Sequence, residues 1–458
     1  MTFHDTIAAI ATAPGEGAVA IVRISGPEAL EVFRHCFRRP GGRGLPHPKP
    51  RHLYLGWVQD SQQQVLDQVL GVSMPGPHSF TGEDVVEFHC HGGSLVAGTV
   101  LEACLEHCRL AEPGEFSRRA FLAGKLDLTQ AQAIIDVIRS KTPEAVRIAN
   151  DVMQGRLRRT LTDLRQELIA IQSQLEATIE FAEEDIAPES EEHLCQRMEA
   201  VLGSVDSLLR GARTGMLMRQ GAVVTIVGKP NVGKSSLLNS LCRSERSIVT
   251  PIPGTTRDVV EQYVDIQGLP VKLLDTAGLR DSGDTVEQLG MERTRSAIAG
   301  ADLVLWLLDR SRAAGEEDRR IASLLKDRPC LALMNKSDLP AVMEPEFMAA
   351  LPADRTLSIS LLDDTDVQQV ESAIYQQLCG RHHEARSDML LSRTRQRDSL
   401  IRARESLEHA KHTLQQQLGY ELVSMDLQHA CTYLGEIMGE VVTDDVLDEI
   451  FSEFCIGK

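Results

Sequence analysis

Apolar positions change their spacing from block to block along this chain. Over residues 1–120 they fall in short runs punctuated by glycine and proline. The stretches 6–12 and 17–23 read as strands joined by Pro14-Gly15, and 85–90 reads as a strand ending at His91-Gly92-Gly93. The stretch 95–108 reads as a helix, so this block is expected to be a compact α+β unit. Over 121–217 apolar residues recur every three or four positions, and 156–187 holds neither glycine nor proline, which predicts helices. Over 218–380 apolar runs at 223–228, 271–275, 303–309, 330–334 and 356–360 alternate with helical stretches. The segment 259–266 is expected to pair antiparallel with 271–275 across Gln267-Gly268. Helical character returns over 381–458, and no proline follows residue 352.

The pattern predicts a multidomain protein: an N-terminal α+β domain, a helical domain in two parts, and a doubly wound α/β domain between them. One reading makes the α/β domain an insertion in a discontinuous helical domain, so that a nucleotide-driven change could be levered into the helices. The other makes the two helical blocks independent linkers.

Chemistry enters with Gly228-Lys229-Pro230-Asn231-Val232-Gly233-Lys234-Ser235. It fits G-x-x-x-x-G-K-[ST], follows an apolar run and precedes a helical stretch, which is the context a phosphate-binding loop needs. Its backbone N–H groups would wrap a phosphate at a helix N-terminus. Lys234 would reach the outer phosphates and Ser235 would ligate Mg2+. Asp275-Thr276-Ala277-Gly278 ends the next apolar run; there Asp275 would hold Mg2+ through water and the Gly278 N–H would meet the terminal phosphate. Asn335-Lys336-Ser337-Asp338 ends another, and Asp338 can accept hydrogen bonds from N1–H and the exocyclic amine of guanine, neither of which adenine offers. Ser358-Ile359-Ser360-Leu361 would touch the base through backbone groups. Thr256, in Gly254-Thr255-Thr256-Arg257-Asp258, is the candidate second hydroxyl for Mg2+. Together these motifs predict a GTPase. Leu279 stands where a Ras-type enzyme has its water-positioning glutamine, so Glu287 and Arg280 become the candidates for that task. Asn231 and carbonyls of the 250–255 loop could hold a monovalent cation where other GTPases place an arginine finger.

Composition narrows the partners. The 458 residues carry a net charge of −18, which excludes a generally basic nucleic-acid coat and leaves RNA contact to a local patch. The arginines at 393, 395, 397, 402 and 404 are read as a solvated helix face and as the best local patch of that kind. No run of about 18 apolar residues is present, which predicts no membrane span. The first residues lack a basic n-region, which argues against a secretory signal. Ten scattered cysteines read as reduced thiols in a cytoplasm. Cys104 and Cys108, with His107 between them, read as core and surface residues rather than a metal site.

The tail Phe454-Cys455-Ile456-Gly457-Lys458 is similar to the C-terminal C-[ILV]-G-K of the MnmE (TrmE) family of tRNA modification GTPases. So are Asp5-Thr6-Ile7-Ala8-Ala9, Phe80-Thr81-Gly82-Glu83-Asp84-Val85, His91-Gly92-Gly93, Pro113-Gly114-Glu115-Phe116-Ser117 and Lys125-Leu126-Asp127-Leu128. The resemblance implies a cytoplasmic homodimer that works with the FAD protein MnmG. The pair places an aminomethyl or carboxymethylaminomethyl group on C5 of the wobble uridine of certain tRNAs. A tetrahydrofolate, 5-formyl or methylene, supplies the one-carbon unit. By resemblance Arg23, Glu87, Lys125 and Lys458 form the folate site; Asn231, Thr250, Ile252 and Thr255 surround K+; and Glu287 orients the attacking water. The nucleotide site extends over Val232, Gly233 and Ser236, over Pro251, Pro253 and Gly254, and to Thr276, Ala277, Lys336, Ser337 and Ser360. Cys455 is a nucleophile candidate whose role the resemblance leaves open.

Overall fold

The computed structural model describes residues 5–180, 190–243, 247–249, 262–275, 295–380 and 391–458. The chain divides into two compact units. The first gathers Met1–Ile135, Met153–Asp163 and Leu434–Lys458; the second gathers Asp136–Val152 and Leu164–Tyr433.

The first unit is built on a sheet of β1 (Ile7–Ile10), β2 (Val19–Ser25), β3 (Phe37–Arg38), β4 (Tyr54–Gln59), β5 (Val65–Met74), β6 (Val85–His91) and β7 (Arg109–Leu110). Their spatial order is β3-β4-β5-β6-β2-β1-β7, antiparallel throughout except where β7 runs parallel to β1. The two-residue period of a strand sorts the side chains. Ala20, Val22 and Ile24 of β2 and Val86, Phe88 and Cys90 of β6 enter a core with Phe33, Phe37 and Val100. The alternate positions, Arg23, Glu87 and His89, project from the other face. Helices Ala29–Cys36 and Ser94–Leu105 cover the core face.

Two differences from the sequence expectation stand out here. Strands β3 to β5 had no counterpart in the pattern reading. The expected helix 95–108 stops at Leu105, because Arg109 and Leu110 are drawn into the sheet beside β1. Asp127, within a family-like motif, caps the helix Leu128–Arg139, accepting from the Thr129 N–H at 2.7 Å and the Gln130 N–H at 3.0 Å.

The second unit carries β8 (Ala222–Val227), β9 (Ser247–Val249), β10 (Gln262–Ile266), β11 (Leu269–Asp275), β12 (Leu303–Asp309), β13 (Cys330–Asn335) and β14 (Arg355–Ser358) in the order β14-β13-β12-β8-β11-β10-β9. The five strands from β14 to β11 are parallel; β12 and β13 are buried along their whole length, as a sheet flanked by helices requires, while β14 at the edge is largely exposed. β10 and β11 form the expected hairpin, with Val264 opposite Val271.

The helical blocks before and after this sheet pack on each other. The helix Thr394–Gln415 lies along Glu191–Gln220, joined by Arg404 to Asp206 at 2.6 Å and Lys411 to Glu199 at 2.5 Å. Asp136 accepts from Arg219 and from Arg393, each at 3.0 Å. One discontinuous helical domain therefore surrounds the α/β domain in sequence, which removes the reading of two independent linkers. The same contacts correct the arginine-rich stretch. Arg393 is buried in an ion pair and Arg404 bridges two acidic residues, while Arg402 alone of the five is fully exposed, so the stretch is largely a packing face.

Candidate functional site

The phosphate loop leaves β8 at Val227 and enters the helix Lys234–Arg243. Its backbone bends where a Cβ has no room. Gly228 sits at φ +151°, and a Cβ there would lie 2.4 Å from the Leu307 carbonyl oxygen. Gly233 sits at φ +106°, where a Cβ would meet the Asn335 amide at 2.6 Å. Asn231 adopts a left-handed φ of +62° and is exposed, as are Ser235 and Ser236, while Val232 anchors the loop in the core. Lys234 is buried, and its ammonium donates to the carbonyls of Gly228 at 2.8 Å and Lys229 at 2.7 Å. These loop carbonyls hold the ammonium at the helix N-terminus, where an incoming phosphate would meet it.

The guanine motif closes on this loop. Asn335, at the end of β13, donates from Nδ2 to the Val232 carbonyl at 2.7 Å. Lys336, at φ +62°, donates to Asp309 at 2.6 Å. Burial pushes the Asp309 carboxyl up, but Lys336 and Ser311 outweigh it and hold it below its ordinary value. The Ser337 N–H donates to the Ile359 carbonyl at 3.0 Å, joining the motif to the following loop. Ser360 then donates from Oγ to Asp338 at 2.9 Å, and its own N–H is held by Asp366 at 2.7 Å. Asp338 is thus an exposed carboxylate oriented by a fixed hydroxyl, as hydrogen bonding to a base edge needs. The contacts of Asp309, Asp366 and Lys229 were not anticipated. Only the position of Asp309 at a strand end beside the nucleotide motifs hinted at its part.

The structure brings Asn231 to Ser236, Asn335 to Asp338 and Ser360 to the carboxyl ends of the parallel strands. Asp275 ends β11, opposite Ile226 of β8, and its backbone is therefore at the same end of the strands. The candidates between 250 and 256, and Thr276, Ala277, Gly278, Arg280 and Glu287, lie outside the described residues. Of the four K+ candidates only Asn231 is described. The loop glycines at positive φ, the ammonium held on loop carbonyls and the exposed Ser235 fit a nucleotide bound with Mg2+.

A second cluster forms in the first unit. Register places Arg23 opposite Glu87, and Arg23 Nε donates to Glu87 Oε1 at 2.8 Å. His89 meets the other oxygen of Glu87 at 3.2 Å. The guanidinium lies 5.6 Å from the Phe80 ring centroid and 5.7 Å from that of Phe116. The C-terminal segment reaches this place. The Phe116 N–H donates to the Lys458 backbone oxygen at 3.2 Å, and Gly457, at φ +94°, passes so close to Ile10 that a Cβ would lie 2.1 Å from its carbonyl oxygen. Burial pushes the Lys458 ammonium below its ordinary value and the neighbouring Arg23 adds to this, outweighing the pull of Cys455 and Glu87. Cys455 itself is exposed. Arg23, Glu87 and Lys458 therefore share one site, whereas exposed Lys125 runs its stem past Gly82. Cations for carboxylates and a carboxylate for a heterocycle edge fit a folate in chemical type.

The first unit also holds an ionic hub centred on buried Arg119 that sequence reading missed as a unit, although three family-like motifs feed it. Arg119, 1% exposed, donates to Asp5 at 2.9 Å, Glu115 at 2.8 Å and Glu83 at 3.2 Å. Among the described residues no group of His, Cys, Asp and Glu is arranged to hold a metal ion, and no helix is long and apolar enough to cross a membrane.

A parallel sheet with a glycine phosphate loop at the carboxyl end of its central strand, a base-recognition motif beside it and a surrounding helical domain define a P-loop GTPase of multidomain build. A family model described as the MnmE helical domain matches residues 128–455, and one described as the N-terminus of the GTP-binding protein TrmE matches 6–125. The chain is 44% identical to the tRNA modification GTPase MnmE of Symbiobacterium thermophilum, over 99% of this chain and 100% of that one. It is 41% identical to that of Clostridioides difficile over the full length of both. The chain belongs to the MnmE (TrmE) family of tRNA modification GTPases.

Proposed function

We propose that this GTPase couples GTP hydrolysis to modification of C5 of the wobble uridine in tRNA, together with the flavoprotein MnmG, as a cytoplasmic homodimer. Lys234 and the loop N–H groups bind the phosphates, Ser235 and Thr256 hold Mg2+, and Asp338 selects guanine. Asn231 with Thr250, Ile252 and Thr255 holds K+, which supplies positive charge beside the β- and γ-phosphates when bound. Glu287 orients the attacking water in place of the absent glutamine. Arg23, Glu87 and Lys458, with Lys125, bind a one-carbon tetrahydrofolate: the cations meet its glutamate carboxylates and Glu87 its pterin edge.

The observation that carries this reading is the convergence of Arg23, Glu87 and the C-terminal Lys458 on one sheet face in a chain that also holds a complete phosphate loop. Mass spectrometry of wobble uridines from cells lacking the protein tests it: unmodified uridine at that position is expected, and unchanged modification overturns the reading. GTP turnover should be faster in K+ than in Na+, and equal rates overturn the cation assignment. A binding switch for ribosome assembly is the competing class; it predicts copurifying ribosomal subunits and unchanged tRNA.

A further inference from the structure

Asp318 lies outside every nucleotide motif, yet it is fully buried in the second unit. It stands in the first turn of the helix Glu316–Leu324, where its Oδ2 accepts the Gly315 N–H at 2.8 Å and so caps the helix. The same oxygen forms an ion pair with Lys229, the first variable residue of the phosphate loop. Among the described residues Oδ1 has no hydrogen-bond partner. Capping alone does not call for a buried carboxylate, since a neutral side chain caps nearly as well without the cost of burying a charge. Among the described residues the charge has one close counterpart, the Lys229 ammonium.

Lys229 is thereby held at two ends. Its side chain is fixed by Asp318, and its carbonyl carries the Lys234 ammonium at 2.7 Å. The path from helix to phosphate lysine is continuous: Asp318 carboxylate, Lys229 ammonium, Lys229 carbonyl, Lys234 ammonium. We propose that Asp318 is a positioning residue for nucleotide binding, acting through Lys229 to fix the first turn of the phosphate loop and the carbonyl on which Lys234 rests. The pair also draws the Lys229 ammonium toward the helix Glu316–Leu324. The proposal rests on the loop being the GTP site. It makes Asp318 a determinant of affinity for the α- and β-phosphates, which GDP and GTP share, more than of the chemical step.

The test is fluorescent-GDP titration of the full chain, with KM and kcat for GTP and a thermal melt measured on each variant. Asp318→Asn keeps the cap and removes the charge; Lys229→Met keeps the stem and removes the ammonium. Each is expected to raise the Kd for GDP and the KM for GTP by about tenfold or more, with kcat at saturating GTP falling far less. The double variant is expected to be no weaker than the worse single one, because both act through one contact. Lys229→Arg should recover most of the affinity. Unchanged GDP affinity in Lys229→Met overturns the proposal, as does a double variant whose losses multiply. If Asp318→Asn does not fold, Lys229→Met, altering a half-buried loop side chain, and Lys229→Arg still decide it. A chain in which even the parent fails to bind GDP would instead overturn the assignment of the loop.

Discussion

Asn335 donates from its side-chain amide to the main-chain carbonyl of Val232, at 2.7 Å, across 103 residues of sequence. The motif proposed to read the base is thereby hooked to the proposed phosphate loop. Asn335→Ala leaves a buried carbonyl unpaired at the centre of the site, a cost of about 1–3 kcal/mol. A fall of roughly tenfold or more in guanine-nucleotide affinity is the expected outcome, and titration with a fluorescent GDP checks it.

Asp338 is oriented by the Ser360 hydroxyl at 2.9 Å. Asp338→Asn replaces an acceptor by a mixed donor and acceptor, so the amine of guanine meets an N–H where it needs an oxygen. Affinity should shift from guanine toward xanthine, whose 2-oxo group accepts that N–H. Competition of GTP and XTP for the variant measures the shift, and Ser360→Ala should weaken GTP binding in the parent without creating xanthine preference.

The Arg119 hub should set the acid stability of the first unit. Burial pushes the carboxyls of Asp5 and Glu115 up, but Arg109 and Arg119 outweigh it, so they titrate below their ordinary 3.8 and 4.5. Groups depressed in the folded state contribute stability above those ordinary values and lose it as pH falls through the folded ones. Arg119→Met removes the central cation from buried Glu115 and from the more exposed Glu83 and Asp5, and should destabilise by about 3 kcal/mol, chiefly through Glu115. Urea unfolding followed from pH 7 down to pH 3 should show the parent losing stability over the acid range and the variant starting lower.

Lys458 gives the opposite pH signature. Its folded value lies below the ordinary 10.5, through burial first and Arg23 second. The unfolded chain therefore binds more protons in the alkaline range, and this group's contribution to stability rises with pH there. Binding of an anionic ligand that uses the ammonium runs the other way and falls as pH rises through the lowered value. Tetrahydrofolate affinity should thus weaken at a lower pH than an ordinary lysine would allow, and Lys458→Arg, which stays charged, should move that fall to higher pH. Isothermal titration across the alkaline range checks it.

The fold and the nucleotide site were legible to unequal depths. Strand, glycine loop and helix from β8 to Arg243 are contiguous in sequence, and each motif lies within a few residues, so local spacing carried them. The helical blocks were legible as helices, but their partnership rested on Asp136 meeting Arg219 and Arg393. The arginine-rich stretch was misread as a solvated face for the same reason: a charged side chain looks solvated until its buried partner is known. Strands β3 to β5 escaped although turn residues such as Pro40-Gly41-Gly42 and Pro75-Gly76-Pro77 flank them: β3 is two residues long, and Gly56, Asp67, Gln68 and Gly71 break the apolar runs of β4 and β5.

The sequence by itself determined the family, the phosphate-loop context of strand, glycine loop and helix, and the period of the long helices and central strands, because these depend on residues near one another along the chain. Only the tertiary structure decided that Arg23 faces Glu87 across paired strands 64 residues apart, that the C-terminal Lys458 arrives beside them, and that Lys229 is tied to Asp318. Those meetings follow from strand register and from the burial of charge that must find a partner, and both are properties of the folded chain as a whole.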